Sequence, residues 1–64
     1  MLNTLTSGQR IRAARDSKGW TQATLADKVG VHRVTVAQWE RGAKQPEKRS
    51  LVALSAILGV DLTQ

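Results

Sequence analysis

The side chains that could do catalytic chemistry are few in this chain of 64 residues. The five acids and the single histidine, His32, show no spacing typical of a nucleophile with its base, and no phosphate-binding loop is present. Cysteine is absent, which excludes disulfides and thiolate metal sites, and one histidine cannot form a histidine metal cluster. The sequence therefore predicts no enzyme activity, no metal or other cofactor, and no small-molecule substrate.

The basic side chains offer a different chemistry, the neutralisation of a polyanion. Ten Lys and Arg residues against five Asp and Glu residues give a formal net charge of +5. Such a charge on so small a chain favours nucleic acid over a membrane surface as the partner. The aromatic residues are Trp20 and Trp39 alone, and both stand at positions typical of a helical core. They cannot form the stacking platforms of proteins that bind single strands or RNA, so double-stranded DNA is favoured.

Apolar stretches in the chain are short. The longest covers residues 51–54, whereas a span of the bilayer needs about 20 residues. Residues 1–9 lack both the charge and the apolar core of a secretory signal. We expect a protein without membrane partners in the cytoplasm of a bacterial or phage-infected cell.

Helix signals divide the chain into short segments, and the alternation and turn dipeptides typical of strands are missing. Thr6 followed by Gln9 is a capping box, and Thr21 is a good N-cap. Apolar periodicity and the glycines that end each segment complete these signals. Together they predict a lead-in over residues 1–5 and four helices. The helices cover residues 7–18, 22–29, 33–41 and 48–58, the last of which starts at residue 47 in the alternative. Asp61 is a candidate cap for a fifth helix. The expected fold is a single all-α domain over residues 1–64, a compact four- to five-helix bundle.

Each predicted helix is too short to be stable alone in water, so tertiary packing must hold the helices together. The apolar positions that recur at helical spacing predict the core. They are Ile11, Ala14, Trp20, Leu25, Ala26, Val29, Val31, Val36, Trp39, Leu51, Leu54, Ile57, Leu58 and Val60.

Residues 22–41 have the pattern of a helix-turn-helix. Gly30 allows a tight turn between two short helices, and Ala26 is small where the helices must approach closely. Val31 and Val36 fill the wedge between them, while Val34 is the only apolar residue on the outer face of the second helix. This pattern predicts a steep crossing angle, with the second helix free to enter a major groove.

An ordered set of short motifs covers residues 5–62. They are R-x-x-R at residues 12–15, G-W-T-Q at 19–22, L-A-x-K-V-G-V at 25–31, Q-W-E-R-G at 38–42, Pro46, and L-G-V-D-L at 58–62. With this set, the chain resembles the Xre/Cro/C1-type helix-turn-helix domain of lambdoid phage repressors and bacterial regulators. The resemblance implies a lambda-repressor-like bundle that binds a near-palindromic DNA operator as a homodimer.

The resemblance also implies which side chains read bases. Arg33 matches a position that can contact guanine, and Gln38 one that can contact adenine. Val34 is expected to touch a thymine methyl group, and Thr35 a base or a phosphate. The alternative for Arg33 and Gln38 is a solvated helix face, and for Val34 it is packing between helices.

Phosphate contacts are implied for a second set of residues, namely Gln22, His32, Arg41, Lys44, Gln45 and Arg10. His32 stands where the family usually has Ser or Thr as an N-cap, which predicts either a weaker start of the third helix or a phosphate contact. Arg12, like Arg10, is a candidate for a phosphate contact, and for both residues a solvated helix face is an equal alternative. Arg15 and Glu40 match a family pair that forms a partly buried salt bridge between helices 1 and 3; the alternative is a surface pair.

These features predict a transcriptional regulator, most simply a Cro-like or C1-like repressor. Antitoxins and restriction–modification controllers that regulate their own genes share the domain, and the sequence does not separate them from repressors. A protein-interaction module with the same fold would require an acidic or apolar outer face on the third helix. Arg33, Thr35 and Gln38 argue against such a face.

Overall fold

The computed structural model of the protein describes residues 5–63, which contain four α-helices and no strands. The helices are α1 (Ser7–Ser17), α2 (Gln22–Val29), α3 (Arg33–Glu40) and α4 (Lys48–Leu58). They confirm the predicted all-α class, with α1 and α3 each ending one residue early. Most of the predicted lead-in, residues 1–4, lies outside the described residues. No fifth helix forms over residues 59–63, where Asp61 instead accepts hydrogen bonds from Thr63.

The first two helices begin at the predicted caps. The Thr6 hydroxyl accepts from the Gln9 amide at 3.1 Å, and the Gln9 side chain accepts in return from the Thr6 amide at 2.9 Å. At α2, the Thr21 hydroxyl accepts from the Thr24 amide at 3.0 Å. Each cap satisfies N–H groups that a helix start otherwise leaves without partners. The predicted boundaries therefore rest on hydrogen bonds that form within four residues.

The core lies where the four helices meet. Its buried apolar residues are Ile11, Leu25, Ala26, Val36, Trp39, Leu54, Leu58 and Leu62. Partly buried residues that pack against them were also predicted, and these are Ala14, Trp20, Val29, Val31, Leu51 and Ile57.

The predicted core is wrong at Val60, which is 39% exposed, while Leu62 is 3% exposed and was missed. Gly59 ends α4 at a φ of 72°, so the chain turns back along the helix. The Leu62 amide then donates to the Ser55 hydroxyl at 2.9 Å, which holds Leu62 against the core. Helical spacing no longer applies after Gly59, and apolar residue type alone does not tell which of the two side chains points inward.

The turn between α2 and α3 takes the predicted form. Gly30 has a φ of 87°, a left-handed conformation that strains residues with a Cβ atom. The amides of Gly30 and Val31 both donate to the Ala26 carbonyl, at 2.8 and 3.0 Å. Ala26 and Val36 are buried where the helices cross. The core thus fixes how α3 is presented to its surroundings.

A second close approach joins α1 to α3. Gly8 is buried, and a Cβ atom there would lie 2.1 Å from the Trp39 carbonyl oxygen and 2.9 Å from that of Glu40. The first turn of α1 therefore rests directly on the end of α3. Only glycine permits this contact, because any side chain would collide with backbone atoms.

No helix within residues 5–63 has the length and apolar character that a bilayer span requires.

Candidate nucleic-acid interface

The outer face of α3 carries the side chains predicted to read bases. Arg33 and Val34 are exposed, and Val34 leaves 50% of its surface in solvent. Val34 and Gln38 are four residues apart and so are neighbours on one face of the helix. Val36 and Trp39 point to the opposite side, into the core. Val34 is therefore not a packing residue between helices.

Arg33 stands apart from this pair. At 3.6 residues per turn it lies about 140° around the helix axis from Gln38. It occupies the first residue of α3, where side chains extend past the helix end. Thr35 is half-buried beside this face. The structure thus brings Val34 and Gln38 together, and it separates Arg33 from them at the start of the helix.

His32 caps α3, contrary to the expectation of a weak helix start. Its ring Nδ1 accepts a hydrogen bond from the Val34 amide at 3.1 Å. A neutral imidazole that accepts at Nδ1 must carry its proton on Nε2. Since His32 is exposed, this Nε2–H group remains available as a donor at the start of α3. Residue type alone does not predict this cap, because it depends on whether the His32 ring reaches the Val34 amide.

Arg15 and Glu40 join α1 to α3 through a two-point contact. Arg15 donates from Nε to Glu40 Oε2 at 2.6 Å and from Nη2 to Oε1 at 2.9 Å, and its Nη1 donates to the Trp20 carbonyl at 2.7 Å. Arg15 is 9% exposed and the Glu40 side chain 4%. The hydrogen bonds to Glu40 raise the pKa of Arg15 above its ordinary value. Planar paired bonds of this kind fix orientation as well as distance.

Gln22 extends this contact to a third helix. Its Nε2 donates to Glu40 Oε1 at 3.0 Å, which ties the start of α2 to the end of α3. Because a carboxylate only accepts, the Gln22 amide must turn its nitrogen toward Glu40. One N–H of that nitrogen and the carbonyl oxygen remain for other partners. Nothing in the spacing of the sequence pointed to this bond.

The loop after α3 wraps the end of that helix. The amides of Ala43 and Lys44 donate to the Gln38 carbonyl at 2.9 and 3.3 Å, so the chain uses them internally. Lys44 and Gln45 are exposed, as is Arg41 at the end of α3. These bonds hold the loop against the end of α3, while the three side chains remain accessible to solvent.

A groove of about 520 Å³ runs between this loop and the first turns of α1. Arg41 and Gln45 line it from the loop side, and Gln9 and Arg12 from α1. Its lining carries two guanidinium groups, from Arg12 and Arg41, and one carboxylate, from Glu40.

Arg10 faces elsewhere. It lines a more apolar groove of about 360 Å³ with Val60 and Leu62, next to Asp61. Hydrogen bonds from Thr63 hold the pKa of Asp61 below its ordinary value, and the charge of Arg10 lowers it further. Arg10 is thus separated from the loop residues with which it was grouped.

Over residues 5–63, no three side chains of His, Cys, Asp or Glu come together as a metal-binding group.

Comparisons with known proteins agree with this geometry. The helix-turn-helix family model matches residues 11–64. The transcriptional regulator DicA of Escherichia coli is 44% identical over 54 residues, which are 84% of this chain and 40% of DicA. The repressor protein C2 of Salmonella phage P22 is 44% identical over 57 residues, which are 89% of this chain and 26% of the repressor. The chain therefore spans less than half the length of either relative.

Solved structures show the same fold. The P22 c2 repressor in complex with a synthetic operator has a TM-score of 0.86 at 41% identity, covering 92% of this chain and 89% of that one. The restriction–modification controller protein C.AhdI from Aeromonas hydrophila has a TM-score of 0.80 at 34% identity, covering 88% of this chain and 85% of that one. The predicted lambda-repressor-like fold is confirmed, and the chain belongs to the helix-turn-helix family of the Xre/Cro/C1 type.

Proposed function

We propose that the chain is the DNA-binding domain of a transcriptional regulator, a Cro-like or C1-like repressor that inserts α3 into the major groove of an operator. The observation that carries the proposal is the outer face of α3, where half-exposed Val34 adjoins Gln38 while Val36 and Trp39 fix the helix from behind. An apolar residue with half its surface in solvent has no role in the core. Beside Gln38 it suits a thymine methyl next to an adenine edge.

The base contacts of the proposal follow from these positions. Gln38 pairs with adenine N6 and N7, Val34 meets a thymine methyl, and Arg33 donates to guanine O6 and N7 at the start of α3. Thr35, half-buried at the edge of this face, contacts a base or the adjacent phosphate. Two residues that are neighbours on one face of α3 and a third at the helix start would read neighbouring base pairs.

The phosphate contacts of the proposal flank α3. Gln22 keeps one N–H free after its bond to Glu40, and His32 presents its Nε2–H. The exposed side chains of Arg41, Lys44 and Gln45 provide further phosphate contacts at the end of α3 and in the loop after it. Arg10 was also predicted for this role, but it lines a different groove beside Asp61, and we leave it out of the proposed phosphate contacts. Neutralised phosphates provide much of the affinity and make it depend on salt.

The proposal includes a homodimer on the operator, acting in the cytoplasm where bacterial DNA lies. Two-fold helix-turn-helix dimers place their recognition helices about 34–36 Å apart, one turn of DNA. The operator would then carry two similar half-sites at that separation. Analytical ultracentrifugation of the chain on a full operator tests this point, since a single protomer on the DNA would contradict it.

A restriction–modification controller is the second candidate, and the likeness to C.AhdI favours it specifically. An antitoxin that represses its own genes would bind DNA through the same α3 face. All three candidates are DNA-binding regulators, so the α3 face does not distinguish them. A protein-interaction module is less well supported, because Arg33 and Gln38 leave that face neither acidic nor uniformly apolar.

Selection of bound duplexes from a random library tests the proposal directly. We expect enrichment of one near-palindromic sequence with half-sites about one helical turn apart. Binding of the enriched duplex should exceed binding of a scrambled duplex by at least the 10³-fold ratio common for specific proteins. If the library remains unenriched while the chain still retains duplexes, charge alone accounts for binding and sequence reading is refuted.

A further inference from the structure

Two arginines of α1 face different surroundings although they stand two positions apart. Residues so spaced point to nearly opposite sides of a helix, about 200° apart around its axis. Arg12 lines one groove with Arg41 and Gln45, whereas Arg10 lines a second, more apolar groove beside Asp61. Both side chains are exposed and both carry one positive charge. The two arginines therefore differ in position but carry the same charge.

We propose that Arg12 is a DNA-contacting residue that binds a backbone phosphate in the groove between α1 and the loop after α3, together with Arg41 and Gln45. The inference rests on the proposed function and extends the interface beyond the helix-turn-helix itself. Two guanidinium groups and an amide line one groove, and guanidinium groups donate in the paired geometry that phosphate oxygens accept. A groove of about 520 Å³ has room for one phosphate and its sugar.

The acids near the groove do not cancel its charge. Glu40 lines it, but its two oxygens already accept from Arg15 and Gln22. Asp16 lies 3.8 Å from Arg12 Nε, yet it also lies 3.2 Å from Arg15 Nη1. The Arg12 and Asp16 side chains are 69% and 59% exposed, so their attraction is weak and screened by water. Arg12 is thus free to exchange Asp16 for a phosphate.

The groove also has a fixed position relative to the recognition helix. The contact of Gly8 with the carbonyls of Trp39 and Glu40 sets the distance between α1 and the end of α3. The bonds between Arg15 and Glu40 set the orientation. A phosphate held by Arg12 would therefore determine how deeply and at what angle α3 enters the groove of the DNA, a role that phosphate contacts play in register.

The test compares Arg12→Ala with Arg10→Ala, which removes the same charge from the same helix. Fluorescence anisotropy measures binding of each variant to the selected duplex and to a scrambled duplex at several salt concentrations. We expect Arg12→Ala to weaken binding to both duplexes at least five-fold. The negative slope of log K against log salt should become shallower by about 0.9, the value for one lost phosphate contact. Arg10→Ala should change binding less than two-fold. Asp16→Asn, which breaks the exposed pair but keeps Arg12, should bind at least as tightly as the unsubstituted chain.

The possible outcomes separate the inference from the proposed function. Equal losses for Arg12→Ala and Arg10→Ala would mean that only net charge matters, and they would overturn the inference. An unchanged salt slope for Arg12→Ala would overturn it as well. If the unsubstituted chain binds neither duplex, the proposed function itself falls. Thermal unfolding followed by circular dichroism should give the same midpoint for both arginine variants, since both side chains are exposed.

Discussion

At the scale of the residue, one side chain often serves both the fold and the surface. His32 accepts the Val34 amide with one ring nitrogen and presents a donor with the other. Gln22 divides its amide in the same way between Glu40 and the solvent. Polar groups at the proposed interface are therefore held in place before any DNA is bound. Donors held in this way lose less side-chain entropy on binding than free ones.

Gln38 and Lys44 should respond differently to truncation. Gln38→Ala removes a proposed base contact, so it should cost about 1–3 kcal/mol of binding free energy and relax the preference at one base pair. Lys44→Ala removes only a proposed phosphate contact and should weaken binding to DNA of every sequence alike. Competition binding against single base-pair variants of the selected duplex measures both. An equal loss on operator and scrambled DNA for Gln38→Ala would remove it from the base-reading set.

Substitutions at His32 separate its cap from its outward donor. His32→Ala loses both and should lower the free energy of unfolding by about 0.5–2 kcal/mol. His32→Asn keeps a capping acceptor, so stability should recover while the affinity for duplex DNA stays reduced. Urea unfolding and binding isotherms provide the two readouts. Full affinity in His32→Asn would show that the ring makes no phosphate contact, and full stability in His32→Ala would show that the cap contributes little.

At the scale of the element, α3 is held at both ends and along its inner face. His32 caps its start, and Val36 and Trp39 anchor its middle. At its end, Glu40 receives donors from α1 and α2, and Gly8 lets α1 rest against the final carbonyls. A helix of eight residues has little stability of its own, so these contacts decide where it points.

Removing the charge of Glu40 should destabilise the fold strongly. Glu40→Gln removes the buried counter-charge of Arg15 and leaves only the exposed carboxylate of Asp16 beside it. Breaking a buried pair costs about 3–5 kcal/mol. A loss of this size approaches the whole stability of a small domain, which is about 5–15 kcal/mol. Glu47→Gln is the matched control, because Glu47 pairs with Arg49 at 3.8 Å and both side chains are exposed. The control should change stability by less than about 1 kcal/mol. Similar urea midpoints for the two variants would contradict a structural role for the buried pair.

Gly8→Ala should destabilise the protein although alanine is the better helix former. Replacing a helical glycine with alanine in an open position gains about 1 kcal/mol. Here the new Cβ would lie 2.1 Å from a carbonyl oxygen, so α1 must move and the loss should be about 1–3 kcal/mol. Chemical unfolding measures the change in the free energy of unfolding. A gain in stability would mean that α1 and α3 are not in direct contact.

At the scale of the whole molecule, charge and packing are divided between different surfaces. The helices bury their apolar faces in one core, and the proposed DNA contacts lie on α3 and the elements beside it. The net charge of +5 attracts a polyanion from any direction, whereas the proposed insertion of α3 into a major groove requires one orientation. The comparison of Arg12 with Arg10 belongs to this scale, since it asks whether position or total charge governs affinity.

Local signals in the sequence predicted helix boundaries, the tight turn and most of the core. Thr6 and Thr21 cap within four residues of their own positions, and Gly30 needs no distant partner to adopt its conformation. The expected placement of Val34 on the outer face agrees with its half exposure, because helical periodicity alone sets it. Leu62 escaped prediction, because its burial depends on how the chain turns after Gly59.

By itself the sequence determined a bundle of short helices with a helix-turn-helix, because caps, periodicity and turn residues act over a few neighbouring positions, and the resemblance of its ordered motifs pointed to the Xre/Cro/C1 type. Only the tertiary structure decided that Gln22 bonds Glu40, that α1 rests on the end of α3 at Gly8, and that Arg12 and Arg10 face different grooves. Each of these features joins elements that are distant in the chain. Side-chain type cannot specify such contacts until packing has brought the elements together.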